Sequence, residues 1–194
     1  MRLKKTVFLS LIMSLIALLT ACGDSMSNYN IEGEHRFYDI TMFEALELLD
    51  DEAFSGILYF GFPGCPFCQE AVPAMHEASQ AIGVDIFYVS RQLSIRETEG
   101  WEEADAAMAW WLNEQVELGW LYDDNEDPIR PNIFVPHVVY IRNGIVIDSH
   151  QGTFEGHERL EDGSLPELTD EEYATLLEIY TRIFSAFNAS EMTN

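Results

Sequence analysis

The chain has 194 residues, 47% of them hydrophobic and 12% aromatic, enough for one domain with a full hydrophobic core. Asp and Glu number 34 against 10 Lys and Arg, a formal charge of −24. That balance excludes nucleic acid as a partner, because holding a phosphate backbone takes a basic face.

Met1-Arg2-Leu3-Lys4-Lys5 is a short cationic stretch, and Phe8 to Leu19 carries no charge. So short an apolar run predicts a signal peptide over 1–21 rather than a membrane-spanning helix. Leu19-Thr20-Ala21-Cys22 then resembles the lipobox of bacterial lipoproteins. The resemblance implies that Cys22 is lipidated and becomes the first mature residue. Lipid would hold the protein at the outer face of the cytoplasmic membrane, on the periplasmic side in a Gram-negative host. Ordinary secretion with Cys22 merely near the cut is the alternative. Removing residues 1–21, with Arg2, Lys4 and Lys5, leaves 173 residues with seven basic side chains, all arginine, against 34 acidic ones. The domain is acidic enough to be repelled by an anionic lipid surface.

Residues 22–33, rich in Ser, Asn and acidic side chains, read as the lipidated cysteine and a flexible tether. A single domain follows over 34–194. Arg36 to Ile40 predicts a strand. Thr41 and Glu44 have the capping-box spacing before a helix with Phe43, Leu46 and Leu49 as its apolar stripe. Gly56–Gly61 predicts a buried strand, Cys65–Ile82 a helix stopped by Gly83, and Asp85–Ser90 a third strand. Residues 91–130 form an insertion in which Ile95 to Leu121 reads as helical and carries Trp101, Trp110, Trp111 and Trp120. These tryptophans either pack an added helical layer onto the sheet or cap the site and grip apolar client segments. Asp123 to Asp127 starts like a calcium loop. Pro128 and Phe134 occupy its glycine and glutamate positions, however, so the stretch reads as a solvated turn. Val138–Ile141 and Ile145–Asp148 flank Asn143-Gly144, a hairpin signal, and Thr169 to Glu172 caps a last helix striped by Leu176, Ile179, Ile183 and Phe187.

The chemistry concentrates at Cys65-Pro66-Phe67-Cys68. Two thiols at i and i+3 where a helix begins can close a small disulfide ring. The first lies at the positive helix end, which stabilises a thiolate. Pro66 fits the first helical position, where a missing N–H costs nothing. With Cys22 used by the anchor, Cys65 and Cys68 are the remaining cysteines. A bridge across two residues closes too small a loop to be a useful staple, so a pair made and broken explains it better. Structural zinc, the competing use, normally takes four ligands, and the sequence has no second cysteine pair. His137 stands either in ordinary strand packing or close enough to the dithiol to shuttle a proton. His76 reads as a packing residue, and His35, His150 and His157 form no ligand cluster.

The order β-α-β-α-β, helical material, β-hairpin and helix resembles the thioredoxin fold over residues 34–188. The residues that carry the resemblance are Cys65-Pro66-Phe67-Cys68 after a strand, Pro73 within the helix, Val135-Pro136 before the hairpin and Gly152 after it. Around Phe60–Cys68 the chain is similar to exported thioredoxin-like proteins and bacteriocin-transport accessory proteins. The resemblance implies an α/β fold, a central mixed sheet flanked by helices, with an enlarged helical insertion before a cis Pro136. Four positions depart from thioredoxins proper. Gly64 stands where a Trp is usual, and Pro66-Phe67 replaces Gly-Pro. Tyr59 occupies the place of a buried Asp that accepts a proton. Glu70 reads as a solvated side chain rather than a substitute base.

These readings converge on an extracytoplasmic thiol–disulfide oxidoreductase, a reductase or isomerase. Cys65 attacks and Cys68 resolves, while Val135 and Pro136 line the substrate groove. The expected partners are exported client proteins and an unidentified redox partner, with membrane contact through the N-terminal lipid. The expected state is a monomer without bound cofactor or metal. The alternative is a non-catalytic accessory or binding lipoprotein for exported peptides.

Overall fold

A computed structural model describes residues 25–92 and 95–191. The expected signal peptide (1–21) and Cys22 lie outside the described residues. Among the described residues, no helix is long and apolar enough to cross a membrane.

The strands are β1 (Phe37–Ile40), β2 (Gly56–Gly61), β3 (Ile86–Ser90), β4 (Gly119–Tyr122), β5 (Pro128–Asn132), β6 (His137–Arg142) and β7 (Ile145–Gln151). The helices are α1 (Met42–Leu49), α2 (Pro66–Ile82), α3 (Trp101–Asn113) and α4 (Asp170–Glu191). The central sheet runs β1-β3-β2-β6-β7. The first three strands are parallel, and β6 and β7 are antiparallel. This is an α/β fold with a central mixed sheet flanked by helices, as the thioredoxin resemblance implies.

Alternation along β2 explains the two layers. Ile57 and Tyr59 face a cluster with Ala71, Val72 and Met75 of α2 and Leu176 and Ile183 of α4. Leu58 and Phe60 face the opposite cluster, with Ala45 of α1 and Met108 and Leu112 of α3. Every residue of β2 is buried, which is why it reads as an unbroken apolar run rather than an alternating one.

Local signals set the helix ends. Thr41 accepts from the Glu44 amide at 3.1 Å while Glu44 accepts from the Thr41 amide at 2.7 Å. Thr169 and Glu172 repeat the reciprocal pair on α4. Gly83 ends α2 at φ 82°, in the left-handed region open to glycine.

Three expectations are corrected. The tether expected over 22–33 is packed from Met26 onward. Ser25–Tyr29 forms a 3-10 turn, and Met26, Tyr29 and Ile31 are buried in the α2 layer. Their apolar spacing outweighs the polar average of the segment, so the domain begins before residue 34. The insertion is not helical over 95–121. It consists of turns before Trp101, helix α3, and a β4–β5 hairpin of its own. The Asp123 carboxylate closes that hairpin by accepting from the amides of Asn125 and Asp127 at 2.8 and 2.9 Å. The α1 stripe is corrected at one position. Leu46 and Leu49 pack against the core as expected, beside the buried Met42 and Ala45, whereas Phe43 is exposed and lies 3.6 Å from where a side chain on Gly100 would begin.

Candidate active site

The site stands where β2 passes into α2. Cys65 is the N-cap of α2. Its carbonyl accepts from the amides of Cys68 and Gln69, at 3.0 and 3.1 Å, and its Sγ lies 3.4 Å from the Cys68 amide. Sulfur thus takes the place of a capping oxygen, and the Cys68 amide at the helix end is shared between it and the Cys65 carbonyl. Pro66 follows at the first helical position without leaving a donor unpaired. Both thiols are free.

The two thiols are unlike. The Cys65 pKa is lowered to about 7, chiefly by the hydrogen bond from the Cys68 thiol. The amides of Cys68 and Phe67 and the Arg159 charge add to this, against an opposing effect of burial. Cys68 is fully buried, and burial, followed by the neighbouring Cys65 sulfur, pushes its pKa far up.

The β2–β6 register pairs Phe60 with His137, so Val135 and Pro136 arrive level with the end of β2. The Val135–Pro136 bond is cis, and Cys65 Sγ lies 3.7 Å from the Val135 carbonyl oxygen. Gly152, at φ 81°, donates its amide to the Pro136 carbonyl at 2.8 Å. Residues far apart in sequence, Cys65, Cys68, Val135 and Pro136, therefore share one site.

A floor of tyrosines lies beneath the dithiol. Tyr59 stacks on Tyr88 at 5.3 Å between ring centres, and the Tyr29 and Tyr88 hydroxyls are 3.2 Å apart. Burial, followed by the nearby Cys68 sulfur, raises the Tyr59 pKa, so this residue is no proton acceptor at neutral pH. Glu70 is half-buried rather than solvated, and its carboxylate accepts from the Leu168 amide at 3.3 Å. Gly61 is required by close approach, because a Cβ there would stand 2.1 Å from the Tyr59 hydroxyl.

His137 belongs to the opposite face, against Phe60 at 6.4 Å, and burial lowers its pKa to about 4. Ordinary strand packing is thus its role. Among the described residues no group of His, Cys, Asp and Glu forms a metal site. The four tryptophans divide. Trp101 is buried and Trp111 half-buried, while Trp110 and Trp120 make an exposed edge-to-face pair at 5.8 Å.

Sequence reasoning missed the arginines. Arg91 and Arg130 pair with the buried Asp105 carboxylate at 2.6 and 3.0 Å, which fastens α3 to β5 and to the end of β3. Arg159 lies over the Phe67 ring at 5.6 Å, and His157 meets that ring edge-on at 5.7 Å. Phe67 between two cysteines was the available signal for an aromatic contact. Nothing local marks which arginine it would meet.

No family model matches the chain, and no curated protein matches it in sequence. Among solved structures it is similar to thioredoxin from Aeropyrum pernix, at 20% identity and TM-score 0.37, over 58% of this chain and 73% of that one. It is also similar to Fasciola hepatica thioredoxin, at 16% identity and TM-score 0.39, over 74% of this chain and 94% of the other. A third is thioredoxin O2 from Arabidopsis thaliana, at 15% identity and TM-score 0.38, over 63% and 87%.

Proposed function

We propose that this chain is a lipid-anchored, extracytoplasmic thiol–disulfide oxidoreductase that reduces or isomerises disulfides in exported client proteins. The observation that carries the reading is the asymmetry of the dithiol, with Cys65 lowered to about 7 at a helix N-cap and Cys68 buried and protonated. An attacking thiol is most effective when its pKa is near the ambient pH, which favours Cys65 as nucleophile toward client disulfides.

The Cys65 thiolate attacks one sulfur of a client disulfide. A Cys65–client bond forms and the other client sulfur leaves as thiolate. Cys68 then gives up its proton to the departing sulfur and attacks Cys65 Sγ. The Cys65–Cys68 bond closes and the second client sulfur is released. Two electrons and the Cys68 proton pass from the thiolate–thiol pair to the client, solvent protonates the second client sulfur, and an external dithiol partner resets the protein. The Val135 backbone, beside Cys65, is placed to pair with the client's extended chain. Cys22 supplies the anchor in this reading, the protein acts as a monomer, and no bound cofactor or metal takes part.

Cys68→Ser should accumulate client mixed disulfides on Cys65, whereas Cys65→Ser should accumulate almost none. Equal trapping by both variants would overturn the assigned roles. The exposed Trp110–Trp120 pair favours a second reading, an accessory role in binding exported peptides. Under that reading Cys65→Ser keeps its cellular role, and under the first it loses it. Cys22→Ser should release the protein from membranes, and unchanged detergent partitioning would remove the anchor.

A further inference from the structure

A cavity of about 410 Å³ opens directly beside Cys65 and is lined by Arg91, Arg96, Arg130 and Arg159, with Trp101 in its wall. Those are four of the seven arginines left once residues 1–21 are set aside, in a chain whose acidic residues number 34. Asp105 is the one carboxylate in the lining. It is already engaged by Arg91 and Arg130. Four guanidinium charges against one carboxylate leave the cavity strongly positive.

Arg96 and Arg159 are the free charges. Arg96 lies over the Trp101 ring at 5.3 Å and donates through Nε to the Arg91 carbonyl at 3.3 Å. Arg159 lies over Phe67 at 5.6 Å and donates through Nη1 to the Gly163 carbonyl at 2.7 Å. Neither has an ion-pair partner among the described residues. Each is held by a ring face and one backbone bond, with the remaining N–H donors uncommitted. Stacked, preoriented guanidinium groups suit a carboxylate better than lysines would, because the fork matches both oxygens. The volume falls within the range of small-ligand sites.

We propose that this cavity is an anion-recognition subsite of the exchange site. It selects disulfides that carry a carboxylate close to the reacting sulfur, either an acidic residue beside a client cysteine or the acid group of a small disulfide. The inference rests on the oxidoreductase reading above. The chain's overall negative charge does not oppose it. Charges farther than about 8 Å are largely screened at physiological salt, and the guanidinium groups lie at the site itself. The Arg159 charge also helps to hold Cys65 as a thiolate, so one residue contributes to both reactivity and selection.

The test mixes the reduced protein with three small disulfides: 3,3′-dithiodipropionate (anionic), 2-hydroxyethyl disulfide (neutral) and cystamine (cationic). Formation of the Cys65–Cys68 disulfide is followed for each, and every rate is divided by that of a neutral reference thiol. Because all three probes meet the same Cys65 thiolate, the ratio of rates removes any change in its pKa. The anionic probe should be favoured over the neutral one by about tenfold, the value of one charge-assisted contact. That preference should fall close to one in Arg96→Gln/Arg159→Gln and weaken with added salt. Both residues are exposed, so these substitutions spare the buried Asp105 cluster. Arg159→Glu alone should shift preference toward cystamine. Peptide disulfides with Glu, Gln or Lys beside the cysteine separate the sources. Preference for Glu there, larger than among the small probes, assigns the subsite to protein clients, and the reverse assigns it to small disulfides. Equal corrected rates in the unaltered protein, or a preference unchanged in the double variant, would overturn the subsite while leaving the exchange chemistry standing. Failure of all three probes to oxidise the dithiol would overturn the oxidoreductase reading and the subsite with it.

Discussion

Removing the Cys68 sulfur while keeping its backbone isolates the largest contribution to Cys65 ionisation. In Cys68→Ala the thiol that donates to Cys65 is gone, whereas the amides of residues 67 and 68 and the Arg159 charge remain. With a pKa of about 7, roughly half of Cys65 is thiolate at pH 7, against about 3% for an ordinary thiol near 8.5. That is about a 15-fold gain in thiolate, but a less basic thiolate is also less nucleophilic. A Brønsted slope of about 0.4–0.5 returns roughly fivefold of the gain, leaving only about threefold in rate at pH 7. A rate at one pH therefore discriminates poorly, and the midpoint of a pH series discriminates well. Iodoacetamide alkylation of the reduced protein, followed by mass at Cys65, should rise with a midpoint near 7. In Cys68→Ala the midpoint should move upward, since the helix-end amides and Arg159 are then left alone to oppose the effect of burial. A midpoint at or above 8.5 in the unaltered protein, or the same midpoint in both, would refute the reasoning that the neighbouring thiol sets Cys65.

Other measurements bear on stability. The depressed pKa of Cys65 adds stability that is complete above the unfolded thiol's value of about 8.5 and is lost as pH falls through about 7. Cys68, raised by burial, withdraws stability as pH climbs above about 8.5. Urea midpoints of the reduced protein should therefore rise and then fall across that range, and the disulfide form, with neither thiol to titrate, should show neither limb. His137, lowered to about 4, contributes stability that is present above about 6.5 and lost as pH falls through about 4, a span worth about 3 kcal/mol; His137→Leu should flatten that acid limb in the same urea series. Asp105→Asn should cost about 3–5 kcal/mol, because it leaves the buried Arg91 without its counter-charge; a loss under 1 kcal/mol in urea unfolding would show that the cluster does not hold the insertion. Gly61→Ala should cost about 1–3 kcal/mol through its clash with Tyr59, and a Tyr59→Leu background should recover part of the loss.

The β2–α2–β3 unit was legible because its determinants are local. An apolar run, a capping cysteine, a proline at the first helical position and a terminal glycine all act within a few residues of where they stand. The β6–β7 hairpin was legible for the same reason, through Asn143-Gly144. The segment before β1 was misread because the burial of Met26, Tyr29 and Ile31 depends on α2 and Tyr88, which its own polar composition does not reveal. The insertion was misread because tryptophan and acidic residues continue a helical pattern past Asn113. The hairpin that replaces it depends on the Asp123 turn and on the close approach of Phe134 to Gly119.

The arginines mark a different limit. Arg91 and Arg96 follow β3, Arg130 lies on β5, and Arg159 lies in the loop before α4. No window of sequence holds them all, and a net charge of −24 directs attention away from a basic site. Net charge describes the long-range field, which salt screens over about 8 Å. The chemistry of Cys65 depends on charges within the cavity, and there the insertion reverses the sign. Asp105 makes this arrangement possible. By pairing with both it allows the buried Arg91 and the half-buried Arg130 to stand side by side, where alone they would repel each other and lose solvation. The same cluster that fastens α3 and β5 to the sheet thus forms part of the cavity wall beside Cys65, in a cavity where an incoming disulfide would meet Arg96 and Arg159. Deleting the insertion while sparing the dithiol should therefore leave a slower and less charge-selective exchange site, and an unchanged selectivity would detach the insertion from the chemistry.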